Sequence, residues 1–257
     1  MIQIENISFS YGRNPFIQGM SLRIKEGELH GIIGPNGAGK STLLRLMGGL
    51  YDVKSGRILV NNRDLAALDP LERARMVAYV FQENYTGFPF TVMQMVMLGR
   101  HPQQKSALFD DPKDKETAEG MLRLLDIYGM RDRLFRTLSG GEKQRVAIAA
   151  ALAQETPVIL FDEPTAFTDI RYQSEIYRLI HGISKKQGLT TVVITHDVNL
   201  AALYCDTITA ISGGAVLATG KPSEIITEPL MKKAYSTEVK IIRHPEEDVP
   251  LVVPVIR

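Results

Sequence analysis

GPNGAGKST, residues 34–42, places a glycine, four intervening residues and then Gly39, Lys40 and Ser41 in the spacing that lets backbone N–H groups turn inward around phosphate oxygens. Lys40 adds the charge, since its ammonium can reach β- and γ-phosphates. The Ser41 hydroxyl is a hard oxygen ligand for magnesium, and a helix beginning there presents its positive dipole end to the anion. By chance the four fixed positions would coincide in roughly one chain in a hundred of this composition. Around the loop, residues 2–9 and 20–33 alternate or run apolar as short strands do. A helix is expected from Ser41, with Leu43, Leu44, Leu46 and Met47 on its apolar face and Gly48 and Gly49 at its end.

Further along, a strand pair is expected around residues 56–60 and 77–81, after which residues 92–152 become rich in helix formers and read as an inserted helical subdomain. Strand signals return at 158–161, 191–194 and 208–211, separated by helical stretches, which is the alternation of a parallel α/β sheet. The last stretch, 238–257, is rich in Val and Ile with Pro245, Pro250 and Pro254, and reads as short terminal strands packed on the core. At 257 residues, 44% hydrophobic, 23% charged and net +1, the chain has no long-range electrostatic bias toward nucleic acid or an anionic membrane surface. Its single cysteine, Cys205, cannot form an internal disulfide, which implies a reducing, cytoplasmic setting. MIQIENISFSYG lacks the pattern of a signal peptide, and the longest apolar run, 146–161, is broken by Gln154, Glu155 and Pro157, so the chain is not expected to span a membrane by itself.

Two further stretches bear chemistry. VILFDEP, 158–164, is an apolar strand ending in adjacent carboxylates. Neighbours in a strand point to opposite faces, so Asp162 can complete a magnesium shell while Glu163, at the turn forced by Pro164, projects toward an attacking water as general base. LSGGEKQR, 138–145, followed by Val146, Ile148, Ala149 and Leu152, opens a helix with a Ser cap, a start that can hold an anion.

With these strings in this order and spacing, nearly the whole chain resembles the nucleotide-binding subunits of ABC transporters: GPNGAGKST as Walker A, LSGGEKQR as signature and VILFDE as Walker B. The resemblance implies a P-loop NTPase (RecA-like) α/β core with an antiparallel β subdomain and an inserted α-helical subdomain. On this chain that divides as 1–88 for the β subdomain and first part of the core, 89–155 for the helical subdomain with the signature, 156–235 for the rest of the core and 236–257 for a tail. It implies ATP and Mg2+ as ligands, with Gly34, Asn36, Gly37, Ala38, Gly39, Lys40, Ser41 and Thr42 around the phosphates, Tyr11 stacked on adenine, and Ser41, Gln82 and Asp162 toward the metal. Glu163, His196 as switch histidine, Gln82 of the Q-loop and Lys40 are the implied catalytic set. Two copies pack head to tail in that family, so Ser139, Gly140, Gly141 and Glu142 would act on the ATP of the partner subunit. One motif departs from the pattern: the turn after Walker B usually reads close to SALD or SHLD, and here it is AFTD, 166–169, with Asp169 retained and Phe167 and Thr168 at the subunit seam.

PFTV and LGRHP within residues 87–102, DIRYQ at 169–173 and HDVNLAALYCD at 196–206 look like the subgroup serving importers of iron-siderophore, haem and cobalamin complexes, a build shared by molybdate importers. A homodimer at the cytoplasmic membrane face, integral permease subunits, an indirect substrate-binding protein and no nucleic acid follow from that likeness. The apolar residues Phe90, Val92, Met95, Val96 and Leu98 are expected mainly to pack the subdomain. A soluble ABC ATPase working on nucleic acid would carry tandem ATPase units or a long coiled coil, and the single P-loop lies only about a hundred residues before the signature.

Overall fold

The computed structural model describes residues 1–82, 88–104, 111–166 and 169–255. Strands β1 (Ile2–Tyr11), β2 (Asn14–Ile24) and β3 (Leu29–Ile33) lead into helix α1 (Lys40–Met47), strands β4 (Ser55–Val60) and β5 (Arg63–Asp64), helix α2 (Pro70–Met76) and strand β6 (Val77–Val80). Helices α3 (Val92–Arg100), α4 (Pro112–Leu124) and α5 (Gly140–Ala153) follow, then strand β7 (Val158–Asp162), helix α6 (Ile170–Gln187), strand β8 (Thr190–Ile194) and helix α7 (Val198–Tyr204). Strands β9 (Thr207–Ser212) and β10 (Ala215–Gly220), helices α8 (Pro222–Ile225) and α9 (Glu228–Tyr235), and strands β11 (Val239–Arg243) and β12 (Pro250–Pro254) complete the chain. These elements form two compact units, Met1–Leu68 with Tyr177–Arg257, and Asp69–Ile176.

In the first unit β1 pairs antiparallel with β2 and β4, and β4 with β5. A second sheet places β3 parallel to both β8 and β9, with β10 antiparallel on β9. A strand with parallel neighbours on both sides has no solvent face, and all five residues of β3 are buried. The run expected over 20–33 is two strands rather than one, because the chain turns between Ile24 and Leu29 with Gly27 at φ 72°. Helix α1 buries Leu43, Leu44, Leu46 and Met47 as its periodicity predicts.

His30 is the polar exception in β3. Its Nδ1 lies 3.1 Å from Glu28 Oε1 and its Nε2 2.8 Å from Thr209 Oγ1, while Glu28 also accepts from the Lys25 N–H and the Thr207 hydroxyl. Burial alone would raise the Glu28 pKa, but the hydrogen bonds from His30, Lys25 and Thr207 outweigh it and hold the carboxyl below its ordinary value. A carboxylate depressed in the folded state stabilises it above the unfolded value of about 4.3 and loses that contribution as pH falls through the lowered folded value. Urea unfolding of Glu28→Gln is therefore expected to show a shallower loss of stability than wild type between about pH 5 and pH 3; equal slopes would dissociate Glu28 from acid unfolding.

The second unit carries the expected helical stretch together with a parallel strand pair, β6 and β7, in register from Val77↔Val158 to Val80↔Phe161. Helices α3 and α5 approach closely at Gly99, where a Cβ would run into the Ala150 carbonyl oxygen. Next to it the buried Arg100 guanidinium donates to Asp114 Oδ1 at 2.9 Å, Ala153 O at 2.5 Å and Glu155 Oε2 at 2.6 Å, tying α3 to α4 and to the end of α5. Val92 and Val96 are buried as expected, but Leu98 is 41% exposed and Phe88 69%; a helical turn that buries positions 92, 96 and 100 leaves position 98 on the far side.

The tail is a hairpin, β11 on β12. It docks on α7 of its own unit: the Val252 N–H donates to Asn199 Oδ1 at 2.8 Å and Asn199 Nδ2 donates back to the Val252 carbonyl at 3.3 Å. Among the described residues no helix is long and apolar enough to cross a membrane.

Candidate functional site

Residues 34–42 join β3 to α1. Gly34 takes φ 153° and is buried so closely against β9 that a Cβ would strike the Ile211 carbonyl oxygen, while Gly37 and Gly39 adopt φ 76° and 101°. Asn36 and Gly37 are exposed at the tip, and Ala38, Gly39, Lys40 and Thr42 are buried beneath it. Lys40 Nζ donates to the carbonyls of Gly34 at 2.8 Å and Pro35 at 3.1 Å, so the ammonium is held inside the turn. Helices α2, α3 and α5 each begin with a capping box that engages their first N–H groups, whereas α1 begins at Gly39 without a side-chain cap. A helix start with no side-chain cap, its positive dipole end and the adjacent Lys40 together are the features that favour an anion.

Tyr11 stands beside this helix, 47% exposed as a residue, with its hydroxyl 2.9 Å from Thr42 Oγ1. Phe9 and Phe16 support it edge-on at 4.9 and 5.6 Å, and Phe16 is also the nearest side chain to Gly39. Nothing in the sequence around Phe16 marks it for this site, since only the folding of β2 against β1 brings it to the loop. His196 reaches the same region by strand register: Ile32 pairs with Ile194, and the Thr195 N–H donates to the Ile32 carbonyl, so His196 leaves β8 level with Gly34 leaving β3. The following Asp197 caps α7 through the Leu200 N–H at 2.9 Å, which fixes the backbone just past the exposed His196.

In the second unit the β6–β7 register assembles the carboxylates. Tyr79 pairs with Leu160 and shares its face, and Asp162 lies two residues, about 6.5 Å, further along that face. The Tyr79 hydroxyl accordingly donates to Asp162 Oδ2 at 2.9 Å and orients a carboxylate that is 4% exposed. Beyond the last registered pair Gln82 and Glu163 face each other, Gln82 Nε2 donating to Glu163 Oε2 at 3.3 Å. The two carboxylates do not diverge by strand alternation, as the sequence suggested. The strand ends at Asp162, and Glu163 turns through φ 49°, away from the extended region that a following proline ordinarily favours. A left-handed non-glycine residue costs of order 1–3 kcal/mol, and here it sets the direction of a carboxylate.

Ser139 and Gly140 are exposed at the start of α5, and Gly141 is buried. Ser139 caps the helix reciprocally with Glu142: its hydroxyl donates to Glu142 Oε2 at 2.9 Å, its N–H donates to the same oxygen at 2.7 Å, and the Glu142 N–H returns to Ser139 Oγ at 3.4 Å. The Ser139 N–H holds the Glu142 carboxyl below its ordinary pKa, with help from the Ser139 hydroxyl and Arg133. An anion arriving here would meet the Glu142 carboxylate, which is paired with Arg133 at 3.4 Å and engages both the Ser139 hydroxyl and the Ser139 N–H. Phe167 and Thr168 of the AFTD turn lie outside the described residues.

Ser41, Gln82 and Asp162 offer oxygen donors alone, the kind magnesium takes. Among the described residues no cluster of three or more His, Cys, Asp or Glu could cage a metal, and an ion bound largely by phosphate and water needs only one or two protein ligands.

The phosphate loop and the helix behind it in the first unit, and the carboxylate pair at the end of β7 in the second, are each elements that a nucleotide-binding ATPase carries. The chain belongs to the ABC transporter family, whose model matches residues 17–166, and it is an ATP-binding ATPase coupled to transport. It is 38% identical over 253 residues to the hemin import ATP-binding protein HmuV of Rhodococcus jostii (strain RHA1), covering 98% of this chain and 86% of that one. With the petrobactin import ATP-binding protein FpuD of Bacillus anthracis it shares 35% identity over 253 residues, 98% of this chain and 93% of that one. Among solved structures, an inward-facing metal-chelate type ABC transporter matches with TM-score 0.86 at 25% identity, over 99% of this chain and 97% of that chain. A dimeric ATP-binding cassette in a post-hydrolysis state with ADP and phosphate matches with TM-score 0.75 at 30% identity, over 86% and 98%.

Proposed function

We propose that the chain is the ATP-hydrolysing subunit of an importer for an iron-siderophore, haem or cobalamin type metal chelate, acting as a homodimer on separate integral permease subunits at the cytoplasmic membrane face. The observation that carries this reading is full-length similarity to import ATPases: 98% of the chain aligns with the hemin import protein. A substrate-binding protein delivers the cargo to the permease, and residues 89–155 form the helical subdomain that meets the permease.

Within each chain Lys40 and the first turn of α1 bind the phosphates, Tyr11 stacks on adenine, and Ser41, Gln82 and Asp162 hold magnesium, whose charge screens the phosphates when bound. Glu163 accepts the proton of the attacking water, and its carboxylate is aimed by the turn at φ 49° and by Gln82. His196 closes the site on the γ-phosphate side, and Ser139, Gly140, Gly141 and Glu142 of the second copy complete it. Binding and hydrolysis then shift the pair between open and closed forms, and the permease reads that shift.

Purification from the parent cells in mild detergent should co-isolate an integral membrane protein, and ATPase activity of that complex should rise with the loaded binding protein. Recovery of soluble nucleic-acid-binding proteins alone would overturn the transport reading.

A further inference from the structure

Tyr172 belongs to the string DIRYQ, which the proposed chemistry leaves unused. Its ring lies against the start of α5: a Cβ on Gly141 would stand 2.5 Å from Tyr172 Cε1 and 2.7 Å from Cδ1, well inside the contact distance of two carbons. At Gly140 a Cβ would meet open space. The ring therefore accounts for one signature glycine and not the other, and it covers Gly141 while Ser139 and Gly140 stay exposed.

Two sets of bonds hold the ring there. Asp169 Oδ1 accepts from the Tyr172 N–H at 2.9 Å and the Asp169 carbonyl from the Gln173 N–H at 2.9 Å, so the first turn of α6 is capped by the retained aspartate of the AFTD turn. One turn on, Glu175 bridges the helices, accepting from Arg145 Nη2 of α5 at 3.2 Å and from Arg171 Nε at 2.9 Å.

We propose that Tyr172 is a positioning residue for ATP-driven pairing of two copies: its ring sets the attitude of the signature turn at Gly141 and ties that turn to Asp169. This rests on the reading that residues 139–142 act on the nucleotide of the second copy. A side chain that only fills space would lower stability without touching pairing; one that aims the signature raises the ATP concentration needed to pair and leaves each chain's own nucleotide site unchanged.

The test titrates MgATP into Glu163→Gln protein and follows dimer formation by light scattering on a sizing column. Adding Tyr172→Ala is expected to raise the half-point about tenfold, equivalent to 1.4 kcal/mol, with ADP affinity and melting temperature close to the parent. Tyr172→Phe is expected to restore the parent half-point, because the ring edge rather than the hydroxyl makes the contact. As a second readout, Gly141→Ala should impair pairing more with Tyr172 present than in the Tyr172→Ala background, a coupling that a double-mutant cycle measures. An unshifted half-point, or a loss of pairing matched by equal losses in ADP affinity and melting temperature, overturns the proposal. Failure of Glu163→Gln itself to pair would instead bring down the shared-site reading, and Tyr172's role with it.

Discussion

Glu163→Gln is expected to bind ATP with wild-type affinity, to lose turnover by a factor of about 10²–10⁴, the usual worth of a positioned general base, and to accumulate as an ATP-bound dimer. The substitution is close to isosteric. Its amide oxygen can still accept from Gln82 Nε2, which donates to Glu163 Oε2 at 3.3 Å, and glutamine meets the same backbone cost at φ 49° as glutamate. Asp162 keeps its own hydrogen bond from Tyr79 and its burial, so the neighbouring carboxylate is undisturbed. Only the capacity to take a proton from water is removed. Phosphate release and gel filtration with MgATP separate the outcomes: residual hydrolysis near wild type would remove Glu163 as base, and a mutant that stays monomeric would count against a site completed by a second copy.

Lys40→Ala is expected to weaken ATP and ADP binding roughly tenfold to hundredfold, since a charge-assisted hydrogen bond contributes about 1.5–3 kcal/mol. Lys40 is 6% exposed and its ammonium already faces two carbonyls of the loop, those of Gly34 and Pro35, so its charge is held within the loop instead of spread into solvent. Removing it also takes the lysine donor from the Gly34 carbonyl and leaves the Pro35 carbonyl with the Ala38 N–H alone, and a small drop in melting temperature should accompany the loss of affinity. Equilibrium titration with a fluorescent nucleotide measures the effect; unchanged affinity would take residues 34–42 out of the mechanism.

Much of the fold was legible because its signals are local. Buried parallel strands read as apolar runs in GII, 31–33, and VILF, 158–161, and the helix behind the loop shows its face in Leu43, Leu44, Leu46 and Met47. The Ser139 cap and its partner Glu142 stand three residues apart, a spacing that a capping box imposes and a sequence displays. The departures lie where a local rule stops at the end of the element it governs. A turn at Gly27 divides residues 20–33, the helix that buries Val92 and Val96 turns Leu98 to solvent, and strand alternation does not reach Glu163, one residue beyond the end of its strand.

The sequence by itself determined the phosphate loop, the carboxylate pair and the signature turn, because each is a contiguous string whose chemistry depends on residue type and close spacing: glycine where a side chain would collide, one lysine, two adjacent acids, a serine before two glycines. Only the tertiary structure decided which side chains aim them. Tyr79 orients Asp162, Gln82 meets Glu163, Phe16 backs Tyr11 and Tyr172 covers Gly141, and each pair meets only once two strands or two helices have found their contact. The reason is physical: strand register and helix contact are set by the burial of whole faces, and a single residue in a linear string carries no mark of the partner that burial will bring to it.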